Sequence, residues 1–228
     1  MRTAAILPIK RFTEAKQRLG KSVAEELRAE LVRAMIADVL LALAQTSAIE
    51  RTIIISSEDT LAAAAREHGA LVIADTLERG QSAAVGLGVE RALADGFERV
   101  LCVPGDCPAL DPAELQALLA ADGADAAAVV IVPDRHGRGT NGLLLAPPDV
   151  IAPSFGVDSC ERHRRLAAGA GVACVLRRPA SLLLDIDTGA DLAVLRERLS
   201  GTRSRAARTR AVLADAGGEQ LLPIASAG

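Results

Sequence analysis

Residues 99–121 read RVLCVPGDCPALDPAELQALLAA, and the fold follows from this stretch. Arg99–Val103 is a short apolar run of strand character. Pro104-Gly105-Asp106-Cys107-Pro108 is a turn sequence holding one carboxylate. Asp111 then caps a helix predicted over Pro112–Ala121, with proline at its first position. Strand, acidic turn and helix together make the unit of an open α/β sheet, whose ligands collect beyond the carboxyl ends of the strands.

The same alternation runs outward on both sides. Ala4–Ile9 reads as a strand. Val23–Ala44 carries apolar residues at three and four spacing (Leu27, Leu31, Ala34, Met35, Val39) and is a long amphipathic helix. Ser22 and Glu25 are placed as its capping box. Thr52–Ile55 is a β-branched strand, Glu58–His68 a helix stopped by Gly69, Leu71–Ala74 a strand, and Ser82–Ala94 a helix ending at Gly96. Beyond the central unit, Ala126–Val132 is a strand. There follow a Gly-rich turn, a short apolar run Leu143–Ala146, a helix near Asp158–Ala168, strands near Val172–Leu176 and Leu182–Leu184, and a helix capped by Thr188 that runs to about Leu199. Strands that are apolar throughout predict a mostly parallel sheet covered on both faces. Residues 1–199 are expected to form one domain, and residues 200–228, with four arginines and little periodicity, a poorly ordered Arg-rich tail.

Composition excludes several functions. Among 228 residues half are apolar and 24% charged, with a net charge of −3, so there is no basic field for nucleic acid. The three aromatics, Phe12, Phe97 and Phe155, are too few for base-stacking platforms. No run approaches the ~20 apolar residues of a membrane span, and the N-terminal apolar run is too short for a signal peptide; a cytoplasmic protein is expected. The four cysteines show neither C-x-x-C pairing nor zinc spacing and read as reduced thiols. The three lysines, Lys10, Lys16 and Lys21, all fall within residues 10–21, while arginine supplies every other basic side chain. A compact ammonium differs from a planar fork, so the cluster points to a need for point charges in this loop, unless it is chance in a small sample.

Three motifs fail on context. Gly20-Lys21-Ser22 lacks the glycine that a phosphate-cradling loop needs five positions earlier, where Ala15 stands. Gly137-Arg138-Gly139-Thr140-Asn141-Gly142 matches the dinucleotide pattern but leads into an apolar run and Pro147-Pro148, with no helix to receive a pyrophosphate. Ser159, Cys160 and His163 have no orienting acid at readable spacing.

What remains is a constellation of acids and a basic loop. Asp106 follows a central strand. Asp185 and Asp187, in Leu182–Thr188, are two apart and face one side of an extended segment, a costly arrangement unless a cation lies between them. Pro8–Leu19 offers Lys10, Arg11, Lys16 and Arg18 before a helix. Singly, Asp106 reads as a turn residue and Asp187 as a capping residue; jointly with the basic loop they read as the two halves of a nucleoside-triphosphate site.

On PIKRFTEAKQRLG, PGDCPAL, GRGTNGLLL, FGVDSCERH and LDIDTGADL, in this order between residues 8 and 192, the sequence resembles the phospholactate/phosphoenolpyruvate guanylyltransferases of deazaflavin coenzyme F420 biosynthesis. It departs from that family's pattern at Gly80-Gln81-Ser82-Ala83-Ala84, where Gly-Leu-Asn is frequent. The resemblance implies a single-domain nucleotidyltransferase related to the glycosyltransferase A type, with a mostly parallel mixed sheet. It implies magnesium on Asp106, Asp185 and Asp187. It places Lys10, Lys16 and Arg18 on the triphosphate, with Pro8 nearby and Gly80 and Ser82 near the base. Thr140, Asn141, Gly156 and Ser159 would hold the small phosphorylated acid, its charge neutralised by His163 and Arg164 or Arg165. Lys10, Lys16, Arg18 and Asp106 would be the catalytic set. The implied partners are GTP, the acid (phosphoenolpyruvate, 2-phospholactate or 3-phosphoglycerate) and the next enzyme of the pathway, which would take up a labile product. The Arg- and Ala-rich composition favours phosphoenolpyruvate.

Two other readings stand beside this one. A sugar-phosphate or molybdopterin nucleotidyltransferase of the same fold usually opens with a Gly-rich loop, and Pro8–Leu19 contains no glycine. A non-catalytic nucleotide-binding protein has no need of all three acids.

Overall fold

The computed structural model describes residues 1–12, 19, 25–120, 128–200 and 205–215. The elements are β1 (Thr3–Ile9), α1 (Glu25–Ala44), β2 (Arg51–Ser56), α2 (Ala62–Glu67), β3 (Leu71–Ala74), α3 (Gln81–Ala94), β4 (Arg99–Cys102), α4 (Pro112–Ala120), β5 (Ala128–Pro133), β6 (Thr140–Ala146), α5 (Ser159–Gly169), β7 (Ala173–Leu176), α6 (Gly189–Ser200) and α7 (Ala207–Asp215). Among the described residues seven strands form one sheet in the order β3-β2-β1-β4-β6-β5-β7. Only β6 runs against its neighbours, β4 and β5, so the expected mostly parallel mixed sheet is what forms.

Successive strand residues point to opposite faces, and this divides the core. Leu7, Ile54, Leu101, Val130 and Leu144 pack on one face with α1, α4, α6 and α7. Ile6, Ile53, Val100, Val129 and Leu145 pack on the other with α3 and α5. Helix α3 lies close against the sheet because Gly88 has no side chain: a Cβ there would stand 2.6 Å from Ile6 Cγ2.

The chain leaves β1 through α1 toward β2 and returns through α3 to β4, which pairs on the other side of β1. That reversal opens a crevice past the carboxyl ends of β1 and β4. The antiparallel register of β6 on β4 (Cys102 opposite Leu143) brings the first residues of β6, Thr140 and Asn141, to the same edge.

Two expectations are corrected. Leu182–Leu184 is not a strand: Ala180–Leu182 is a single 3-10 turn, and the following chain crosses the sheet end held by Ile186 N–H to the Asp106 carbonyl (3.0 Å). The alternation in the sequence is nevertheless real. Leu182, Leu184 and Ile186 are buried, while Asp185 and Asp187 face away from them. The second correction concerns the expected tail. Residues 207–215 form α7 on α1, with Thr209 and Leu213 buried. The buried Asp38 carboxylate accepts N–H bonds from Arg208 (3.1 Å) and Thr209 (2.8 Å); a cap supplied by a helix distant in sequence leaves no local signal. Residues 216–228 of the expected tail lie outside the described residues.

Replacing Asp38 by alanine strands two N–H donors and should cost roughly 1–3 kcal/mol. A fall of several degrees in the thermal midpoint is expected, and an unchanged midpoint would show that the cap does not hold α7. Among the described residues no helix is long and apolar enough to cross a membrane, and the four cysteines are unbridged.

Candidate active site

The crevice is a cleft of about 520 Å³. It is lined by the end of β1 (Pro8) and Lys10 just past it, by the turn after β4 (Pro104–Asp106), and by α1 through Val32, Met35 and Ile36. One wall holds Ser57, Asp75, Glu78 and Gly80, and the opposite wall Thr140, Asn141, Asp185 and Asp187.

The three acids thus meet in one cleft although they come from segments about 80 residues apart. Asn141 orients Asp185, donating from Nδ2 to its Oδ1 (3.2 Å) and to the Leu182 carbonyl (3.0 Å). Burial, then the charges of Asp106 and Asp187, hold the Asp185 carboxyl above its ordinary pKa. Asp187 is fixed through its backbone: its N–H and that of Thr188 donate to Asp191 Oδ2 (3.0 and 2.8 Å), and Asp191 N–H returns a bond to Thr188 Oγ1 (3.3 Å). This is a capping box at the start of α6. The buried Asp191 carboxylate also pairs with Arg135, from the β5–β6 turn, which joins the acid loop to the segment that carries Thr140.

Among the described residues no three His, Cys, Asp or Glu side chains close into a metal-ligand cluster. An all-oxygen set with mutually repelling charges, open toward the cleft, instead suits a hard cation completed by waters and phosphate oxygens.

The hydroxyl cluster is arranged differently from expectation. Thr140 lines the cleft, whereas Ser159 and His163 stand behind it, 1% and 0% exposed. Ser159 Oγ is 3.0 Å from Thr140 Oγ1, and His163 Nδ1 is 3.2 Å from the same oxygen. Burial pushes the His163 pKa down to about 4, aided by the Arg162 charge. His163 is therefore neutral and cannot balance an anion. Arg164 and Arg165 do not line the cleft either; they are exposed and pair with Glu161. Gly156, at φ +108°, is exposed in the loop ahead of α5, and Ser82 accepts the Phe155 N–H (2.8 Å) instead of lining the cleft. Lys16 and Arg18 lie outside the described residues. Gly80 occupies the N-cap of α3 at φ +94°, a left-handed backbone that favours glycine.

The sequence reading missed Asp75 and Glu78 and gave Asp191 no site role, while Arg11 was counted only as one of the four cations of the basic loop. Arg11, which also lines the cleft, pairs with Glu78 (2.7 Å). Asp75, just past β3, accepts the Glu78 N–H (3.0 Å). Neither acid sits in a quoted motif, whereas Asp191 does, as the last acid of LDIDTGADL.

The lowered pKa of His163 has a sign. The unfolded ring takes up a proton near pH 6.5 and the folded ring only near 4, so the contribution of this site to stability is present above 6.5 and lost as pH falls toward 4. The loss amounts to ~3 kcal/mol. Urea unfolding at pH 7 and at pH 4.5 should show a larger drop for the native protein than for His163→Gln. Equal drops would mean that the ring titrates normally.

Comparison with known proteins gives the family and the fold. The family model described as "Guanylyl transferase CofC like" matches residues 3–209. A phosphoenolpyruvate guanylyltransferase of Conexibacter woesei is 47% identical over 213 residues, spanning 93% of this chain and 96% of the relative. A 2-phospho-L-lactate guanylyltransferase of Methanothermobacter thermautotrophicus is 33% identical over 205 residues, 90% of this chain and 89% of the relative. A solved nucleotidyl transferase from the same organism superposes with a TM-score of 0.63 at 19% identity, covering 88% of this chain and 99% of its own, a likeness of fold alone.

Proposed function

The chain belongs to the CofC-like guanylyl transferase family, and on that premise we propose that it joins the GMP unit of GTP to the phosphate of phosphoenolpyruvate or 2-phospho-L-lactate, releasing pyrophosphate in deazaflavin coenzyme biosynthesis. The observation that carries the reading is one cleft lined by Lys10, three carboxylates and the Thr140–Asn141 corner.

An oxygen of the acceptor phosphate attacks the α-phosphorus of GTP. The bond from that phosphorus to the bridging oxygen breaks, and pyrophosphate leaves with the electron pair. A phosphomonoester has its second pKa near 6, so the nucleophile is already a dianion at pH 7 and no residue need remove a proton. This agrees with the buried, neutral state of His163 behind Thr140. Catalysis then rests on positioning and charge neutralisation. Lys10 meets the triphosphate, with Lys16 and Arg18 assigned to the same task on the family's pattern. Asp106, Asp185 and Asp187 would hold Mg²⁺, which supplies charge neutralisation at the phosphates. Asn141 keeps the Asp185 carboxylate aimed into the cleft. Thr140 receives the acid, and the product passes to the next enzyme of the pathway.

Metal removal tests this directly. Protein dialysed against EDTA should release no pyrophosphate from GTP and phosphoenolpyruvate, and millimolar Mg²⁺ should restore release. Undiminished turnover in EDTA would remove the metal role of the three acids.

A further inference from the structure

We propose that His163 is a positioning residue for the acceptor. It occupies the Thr140 hydroxyl oxygen from behind, so that this hydroxyl presents its own proton to the phosphorylated acid. The inference rests on the reading above, in which the Thr140 corner takes the acid.

Ser154 N–H donates to His163 Nε2 at 2.9 Å. A backbone N–H can only donate, so Nε2 is the bare nitrogen and the proton of the neutral ring sits on Nδ1. That proton faces Thr140 Oγ1 at 3.2 Å. Ser159 is 1% exposed, and among the described residues the acceptor within reach of its hydroxyl proton is the same Thr140 oxygen, at 3.0 Å. If Thr140 donated to either neighbour, it would strand a buried proton. With both lone pairs filled from behind, the Thr140 proton is left to point toward the cleft that this residue lines. Such a hydroxyl serves an anionic oxygen and cannot accept from a ligand O–H or N–H.

The support is itself braced. Phe155 meets the His163 ring edge-on, with centroids 5.3 Å apart. Ser82 on α3 holds the Phe155 N–H at 2.8 Å. Arg162 reaches Ser154 Oγ (3.0 Å) and the Ser154 and Phe155 carbonyls (3.1 and 2.9 Å). The Ser154 N–H is thereby kept on Nε2, and a protonated ring would set two donors against each other there. The lowered pKa of the buried ring agrees.

Two substitutions separate the two ring nitrogens. His163→Asn places an amide N–H near the position of Nδ1 and leaves Ser154 without its acceptor. His163→Gln places an amide oxygen near Nε2 and leaves Thr140 without its donor. His163→Gln should raise the acceptor KM roughly tenfold, the low end for a hydrogen bond to a charged group, with the GTP KM within about twofold. His163→Asn should keep the acceptor KM near that of the native protein. In a Thr140→Val background His163→Gln should add little, because its effect passes through that hydroxyl. An unchanged acceptor KM in His163→Gln, an equal rise in the Asn variant, or a full further rise in the Val background overturns the proposal. If Thr140→Val raises the GTP KM instead of the acceptor KM, the assignment of this corner to the acid falls, and the role of His163 falls with it. If Thr140→Val raises the acceptor KM and His163→Gln does not, the proposed function stands and only this inference fails.

Discussion

Asparagine at Asp106, Asp185 or Asp187 should lower kcat/KM by at least about a hundredfold, more than is usual for a residue that only supports a metal ligand. None of the three should lose its fold. The reason lies in the sign of the electrostatics at Asp185. Its carboxyl is held above the ordinary range by burial and by the neighbouring carboxylates, so the folded protein disfavours its charge. Replacing it by an amide of the same shape relieves that repulsion and should leave the thermal midpoint level or raise it. A structural carboxylate behaves the other way, since its removal costs stability. Lost turnover with retained or improved stability is therefore the mark of acids kept for a ligand. The measurement pairs steady-state kinetics at saturating Mg²⁺ with thermal unfolding of the same preparations. Near-full turnover in any two of the three variants would contradict the metal assignment.

Lys10 carries the second large effect. Lys10 is exposed and lines the cleft, one residue past β1, where little packing depends on it. Lys10→Ala should cost roughly ten- to a hundredfold in kcat/KM, the range for losing a charged hydrogen bond to phosphate, with the thermal midpoint unchanged. Lys10→Arg keeps the charge and enlarges the head into a directional fork. If a point charge is what the triphosphate needs, the arginine variant should recover only part of the loss. Kinetics equal to the native protein in Lys10→Arg would mean that the clustering of lysines in residues 10–21 was chance.

Much of this arrangement was legible in the sequence, because it rests on local rules. Strand-to-turn punctuation located Asp106. Period-two alternation put Asp185 and Asp187 on one side even though their segment joins no ladder. Pro112 and Asp111 set the start of α4, where Asp111 Oδ1 accepts the Ala113 N–H (2.9 Å). The rest depended on contacts across the chain. Thr140 and Asn141 looked like turn residues and are the buried opening of β6, drawn to the cleft by pairing with β4. His163 and Ser159 were read as direct contacts to the acid; the burial that sets them behind Thr140 arises from the docking of α5 on the sheet, which no local pattern encodes. The bond from Asp38 to α7 spans 170 residues, and the wall of Asp75 and Glu78 comes from an edge strand with no motif around it.

The identity of the molecule that accepts the guanylyl group is the most direct test. The protein should be incubated with GTP and Mg²⁺ and, in separate reactions, phosphoenolpyruvate, 2-phospho-L-lactate, 3-phosphoglycerate and a hexose 1-phosphate, while pyrophosphate is followed and the products are weighed by mass spectrometry. One of the first two acids should give pyrophosphate in equal amount with a guanylylated acid, at a kcat/KM well above that of the sugar phosphate. Pyrophosphate release with the sugar phosphate alone, or none with any acid, would contradict the central claim.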